Sequence, residues 1–170
     1  SDVCSSDLVA HQKFGGFEDY RGGGHFSGRL TLPLVAAGVV AKSIAKNVEF
    51  HATLTEVGGE IAIEKGIEKA IAHQDSVGGI VECVVKNIPV GLGEPFFDSI
   101  ESLLAHAVFS IPAIKGIEFG KGFAAAKMFG SQHNDPLYST QGQTATNHAG
   151  GINGGLSRSE EHTSELQSPY

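Results

Sequence analysis

Tryptophan is absent from the sequence, methionine occurs once and cysteine twice. Two cysteines in 170 residues supply neither a disulfide framework nor a Cys-rich metal site, and a reducing cytoplasm is the simplest compartment for such a chain. No uninterrupted apolar run approaches the roughly twenty residues of a membrane-spanning helix, so no membrane partner is expected. Nothing before Gly15 combines a basic start with an apolar stretch, as a signal peptide would. A basic stripe is also lacking, which removes the electrostatic footprint of a nucleic-acid binder. Glycine, by contrast, is plentiful at 23 residues, and its clusters carry most of the chemistry that can be read.

The ends stand apart from the rest. Residues 1–8 (SDVCSSDL) and 158–168 (RSEEHTSELQS) share no hydrophobic period with their neighbours. Codons AGA TCG GAA GAG CAC ACG TCT GA encode the start of the second segment, and their reverse complement encodes the first. Natural protein ends have no reason to be related in this way, and the nucleotides resemble a sequencing-library adapter. Residues 1–8 and 158–170 are therefore expected to be non-native scars, with 9–157 the authentic region. The formal charge of −7 falls to −3 once their five acids and one base are removed, leaving 14 and 11. Only Cys83 then remains, alternating with apolar neighbours as a core side chain would.

Between the ends, hydrophobic spacing sets out the elements. Leu30, Leu34, Val35, Ala37, Val40, Ala41 and Ile44 recur at helical intervals, predicting a helix over 32–46 that starts near Thr31 and Pro33. Alternation over 48–57 predicts a strand with one covered face. Residues 60–73 suggest short helical turns interrupted by Gly66. A second strand is predicted over 77–85, a helix over 95–110 with Phe96, Ile100, Leu103, Leu104, Ala107 and Val108 on one face, a third strand over 114–119 and a helical turn over 122–129. Residues 130–148 are polar and predict a mobile loop; 149–157 closes the authentic region with four glycines. Helices and strands mix without regular alternation, which favours an α+β fold.

The densest chemical signal is RGGGHFSGR over 21–29. Its glycines expose backbone N–H groups, Ser27 adds a hydroxyl, Arg21 and Arg29 can fork onto phosphate oxygens, and a helix start follows. An ordinary flexible turn would look similar, so the run alone leaves both readings open. Glu94 and Asp98 sit where they could compensate a helix dipole. His133, Asp135 and His148 lack the spacing of a metal site, and no metal is expected.

Four blocks then acquire a joint meaning: DYRGGGHFSGRLT (19–31), DSVGGIVECVVKNIPVGLGEPFFDSIES (75–102), SIPAIKGIEFGKGF (110–123) and NHAGGINGG (147–155). In this order and at these separations they resemble the chorismate synthase family. The resemblance implies a β-α-β sandwich of antiparallel sheets packed on helices, and a homotetramer. It also implies reduced FMN as cofactor, and elimination of phosphate from 5-enolpyruvylshikimate-3-phosphate. NADPH for flavin reduction is left open. By position in the family motifs, His25, Phe26 and Ser27 would contact the flavin, although His25 and Phe26 replace an Arg-Ser found in many members. Pro112 and Ala113 would line the flavin, Gly154 would lie against it, and Arg29 would face the substrate phosphate. Two catalytic histidines and a later aspartate of the family pattern have no counterpart here, so the chain is expected to be an inactive internal fragment covering somewhat under half of a subunit. A rival without catalysis is a phosphate-binding or assembly module.

Overall fold

A computed structural model describes residues 5–19, 21–140, 142–158 and 162–168. The chain divides into two compact units, residues 1–44 and 45–170.

The first unit is helical. Helix α1 (Ser5–Phe14) ends at Gly15 and Gly16, both with positive φ. Two 3-10 turns follow, Arg21–Phe26 and Gly28–Leu30, before α2 (Thr31–Ile44). Thr31 begins α2 with its hydroxyl donating to the Gly28 carbonyl at 2.8 Å. The glycine loop is thus wound into 3-10 turns. Helix α2 is apolar around most of its circumference, yet Leu32, Val35, Val39 and Ile44 are all more than 60 % exposed; such a helix ordinarily lies inside a protein.

The second unit is a four-stranded antiparallel sheet with helices against it. Strands β1 (Glu49–Val57) and β2 (Gly79–Lys86) pair from Glu49↔Lys86 to Val57↔Gly79. Helix α3 (Ile63–His73) joins them, and β3 (Gly116–Phe119) follows α4 (Ile100–Val108). Strand β6 (His162–Ser168) lies between β2 and β3, giving the order β1-β2-β6-β3. The short α5 (Gly130–His133) precedes a two-stranded hairpin of β4 (Ile152–Asn153) and β5 (Leu156–Ser157). The mixture of helices and antiparallel strands is an α+β fold.

Several local expectations change. Helix α3 runs unbroken through Gly66, because that glycine is buried against Val57 and an added Cβ would overlap the Val57 carbonyl. Gly66 is there for close approach, not as a breaker. Helix α4 starts at Ile100 because Ser99 caps it, accepting from the Ser102 amide at 3.2 Å. Phe96 lies outside that helix, at φ 67° and 89 % exposed. Strand β1 is largely open on both faces, with Phe50 and Leu54 about 40 % exposed, so the expected cover over one face is missing. Residues 130–148 hold α5, a bridge between Leu137 and Thr144 and a hydrogen-bond hub at Asp135, and so are not a structureless loop. Residues 162–168 had been left out of the fold altogether, yet their backbone pairs with β2 throughout and with β3 over residues 164–167.

Candidate functional site

In the first unit, the triple-glycine run reverses direction through Gly23 and Gly24, at φ 80° and 47°. A side chain at Gly24 would meet the Asp19 carbonyl at 2.8 Å, so glycine is required there sterically as well as conformationally. Ser27 closes the turn. Its hydroxyl accepts from the Arg29 amide at 3.3 Å and from Arg29 Nε at 3.0 Å, which holds the guanidinium beside the loop. His25, Phe26 and Arg29 are exposed and Ser27 half-buried.

Arg21 is placed differently from the expected phosphate clamp. Its Nε and Nη2 donate to the two oxygens of Asp19 at 2.9 and 3.1 Å, a two-pronged ion pair. The Arg21 side chain, helped by the Arg21 amide, holds the Asp19 carboxyl below its usual range and is itself pushed up by the pairing. A nearby carboxyl behaves alike: Glu18 is lowered chiefly by its hydrogen bond with His11 Nδ1 at 2.8 Å. His25 and Phe26 border a cavity of about 390 Å³ that also touches Asp7, Glu18 and Asp19. With three carboxyl groups on its wall, that hollow is not itself a phosphate site.

In the second unit, Ala113 adopts φ 70°, a conformation that a non-glycine residue rarely takes without a reason in its surroundings. Pro112 beside it is exposed and Ala113 half-buried. Gly154 and Gly155 form the tip of the β4–β5 hairpin at φ 60° and 83°, the paired left-handed conformation of a tight hairpin turn. No atom lies within 4 Å of the place a Cβ would take on Gly154, and the residue is exposed, so a flat ring has room to lie against its backbone. Gly155, in contrast, is locked in place: its carbonyl accepts from the Ile100 amide at 2.8 Å. The hairpin therefore meets the N-terminal end of α4, while Pro112 and Ala113 follow its C-terminal end. The nine residues of α4 put about 14 Å between those ends.

Sequence reasoning missed what holds the hairpin. Asp135 has a side chain only 3 % exposed. Its Oδ1 accepts from Thr146 Oγ1 at 2.7 Å and from the His148 amide at 2.8 Å; its Oδ2 accepts from the Ala149 amide at 3.0 Å. Arg158 Nη2 lies 3.7 Å from Oδ2 and donates to Asn147 Oδ1 at 3.0 Å. Burial alone would raise the Asp135 carboxyl. The amides of Ala149 and His148, the Thr146 hydroxyl and the Arg158 charge outweigh it, and the group is held below the usual carboxylate range. His133, Asp135 and His148 are in fact neighbours, with the two rings 5.9 Å apart. Among the described residues, however, no three His, Cys, Asp or Glu side chains are placed to hold a metal. The signal available in the sequence was an Asp before Pro136 in an otherwise polar run.

The fold and its glycine-lined surfaces define an α+β scaffold of one known type. It superposes on a solved structure titled "Crystal Structure of Chorismate Synthase" with a TM-score of 0.87, covering 96 % of this chain and 62 % of that one at 23 % identity. At that identity the likeness establishes the fold alone. The family model described as Chorismate synthase matches residues 4–166. A chorismate synthase of Chitinophaga pinensis is 68 % identical over 152 residues, covering 89 % of this chain and 46 % of the relative. One from Korarchaeum cryptofilum is 42 % identical over 186 residues, covering 91 % and 52 %. The chain belongs to the chorismate synthase family, and it spans about half the length of these curated relatives. No helix of the described residues is long and apolar enough to cross a membrane.

Proposed function

We propose that residues 9–157 are part of a cytoplasmic, homotetrameric enzyme that converts 5-enolpyruvylshikimate-3-phosphate to chorismate, and that both ends are non-native. The observation that carries this reading is the 68 % identity over 152 residues to a protein named chorismate synthase. In the reaction, phosphate leaves carbon 3 and a proton leaves carbon 6, without net redox change. Reduced FMN, when bound, lends electron density to the substrate as the phosphate departs.

The chain's own residues bind and orient. By the family resemblance, His25, Phe26 and Ser27 would contact the flavin, Pro112 and Ala113 would line it, and Gly154 would offer it a surface without a side chain. Arg29 would neutralise the leaving phosphate, a task suited to a guanidinium that never loses its charge. Ser27 orients that group through Nε. The proton-transferring histidines and the aspartate belong to parts of the subunit outside this stretch.

Reading the gene through both ends tests the proposal. Two upstream histidines, a downstream aspartate, and chorismate formation by the full-length product with reduced FMN are expected. Native start and stop codons at the ends would favour a non-catalytic module instead. The chain alone is expected to form no chorismate and to leave FMN fluorescence unquenched at micromolar concentration, because half of the pocket's donors are missing. Tight stoichiometric quenching would contradict this account.

A further inference from the structure

We propose that Asp135, which lies outside the surfaces assigned to the flavin, is a positioning residue for flavin binding: it fixes the segment that leads to Gly154 and ties that hairpin to the turn after β3. The inference rests on the reading that Pro112, Ala113 and Gly154 face the flavin. None of the four sequence blocks that carry the family resemblance contains Asp135.

A hairpin tip presents a flat surface at a fixed place only if its base is held. Gly150 and Gly151, at φ 66° and 78°, give the backbone before β4 little stiffness of its own. The restraint comes from elsewhere. The Asp135 carboxylate accepts from the His148 and Ala149 amides at 2.8 and 3.0 Å and from the Thr146 hydroxyl at 2.7 Å. These three donors lie inside the region read as authentic. The His148 carbonyl in turn accepts from the Lys121 amide at 2.8 Å. Gly120 makes that approach possible: it adopts φ 57°, and a Cβ there would overlap the His148 carbonyl and the Gly150 nitrogen.

These contacts close a ring. From Ala113 the chain runs through β3 to Lys121, crosses by the hydrogen bond to His148 and continues into the hairpin. It crosses again from the Gly155 carbonyl to the Ile100 amide at 2.8 Å and returns along α4 to Pro112. Both flavin surfaces proposed for the second unit sit on this ring. Helix α4 braces one arc. The other depends on the crossing at His148, where a carboxylate only 3 % exposed grips two successive amides. Charge-assisted hydrogen bonds of this kind are roughly twice as strong as neutral ones. Asp135 therefore supports from behind a surface that it does not touch.

Three variants of the full-length enzyme test this. Asp135→Asn keeps the shape of the side chain and replaces one acceptor oxygen with an amide NH2 group. It should raise the FMN dissociation constant about tenfold, equivalent to the net contribution of one hydrogen bond, and alter the visible circular dichroism of the bound flavin. The rate of chorismate formation should recover at saturating reduced FMN, because Asp135 takes no part in the chemistry. Thr146→Val removes one hydroxyl, leaves both amides paired and should raise the constant by a smaller factor, about threefold. Val57→Ala truncates a buried side chain that belongs to no element of the ring; it should lower the Tm and leave FMN affinity unchanged. Asp135→Asn enzyme whose folded fraction binds FMN as tightly as the starting enzyme would overturn the proposal. So would an equal loss of affinity in Val57→Ala, because the effect would then be one of stability alone. If Asp135→Asn does not fold, Thr146→Val decides, and unchanged affinity there overturns the role. Absence of FMN binding by the starting enzyme itself would sink the functional reading, and this role with it.

Discussion

Two glycine-rich segments of this chain look alike as text and differ as structures. In residues 21–29 the side-chain hydrogen bonds seen among the described residues include exposed ones that are short in sequence: Arg21 with Asp19, Arg29 with Ser27. Around the β4–β5 hairpin they are long in sequence and buried. Ser157, 3 % exposed, donates its hydroxyl to the Pro89 carbonyl at 2.7 Å and accepts from the Leu92 amide at 2.8 Å, while Asp135 gathers the His148 and Ala149 amides. Glycine permits both shapes. The difference lies in what surrounds it: the first segment is a turn that local chemistry draws, whereas the second is held by distant parts of the fold and should fail when they are removed.

The largest break in that contrast should come from Asp135→Ala. It strands the Thr146 hydroxyl and two largely buried amides beside Arg158, and an expected loss of about 3 kcal/mol in urea denaturation follows. A loss under about 1 kcal/mol would mean that the hairpin does not depend on this carboxylate. Acid should act on the same group more gradually. Its carboxyl titrates lower in the folded chain than in the unfolded one, so the unfolded state binds more protons as pH falls. The stabilisation is complete above the unfolded pKa of about 3.9 and is lost below it as pH falls through the folded value. Asp135→Ala should flatten that part of the stability-versus-pH curve, and an unchanged acid limb would assign it to other carboxylates.

Adjacent glycines sharpen the comparison within the hairpin itself. At Gly155 an alanine is disfavoured by φ 83° and also by Ser99 Cβ, 2.8 Å from the new methyl. About 2–3 kcal/mol should be lost. At Gly154 the same change meets open space and only the backbone term applies, roughly 1 kcal/mol. Equal losses would show that the Ser99 contact yields freely. On the functional reading, the Gly154 methyl should cost the full-length enzyme more in flavin affinity than in stability.

These contrasts also mark how far the sequence could be read. Helix α2, strands β1 to β3 and the closing glycine turn follow from periodicity and turn chemistry, which act over a few residues. Gly66 inside α3 meets Val57, Asp135 beneath the hairpin gathers groups 11 to 14 residues further on, and 162–168 pairs with the much earlier β2 and β3; all lie beyond the few residues over which a local pattern is read. In the candidate site, closeness in sequence was not enough. Ser27 with Arg29 and Asp19 with Arg21 are both pairs two residues apart, yet spacing did not reveal that Arg21 is taken up by a carboxylate while Arg29 is held by a hydroxyl. The left-handed conformation of Ala113 had no signal at all, since alanine is not a residue that favours it.

The smallest effect belongs to the first segment. Gly28 has no atom within 4 Å of a would-be Cβ, and its φ lies outside the left-handed range, so nothing in its surroundings requires glycine. Gly28→Ala should leave the fold unchanged and stabilise it by roughly 0.5 kcal/mol, because the unfolded chain loses freedom that the folded one never used. A loss of stability would show that this turn is held by more than its local contacts, and the distinction between the two glycine segments would disappear. With stability unchanged or improved, weakened flavin binding by the full-length variant would instead identify Gly28 as a point where the backbone must come close to the cofactor.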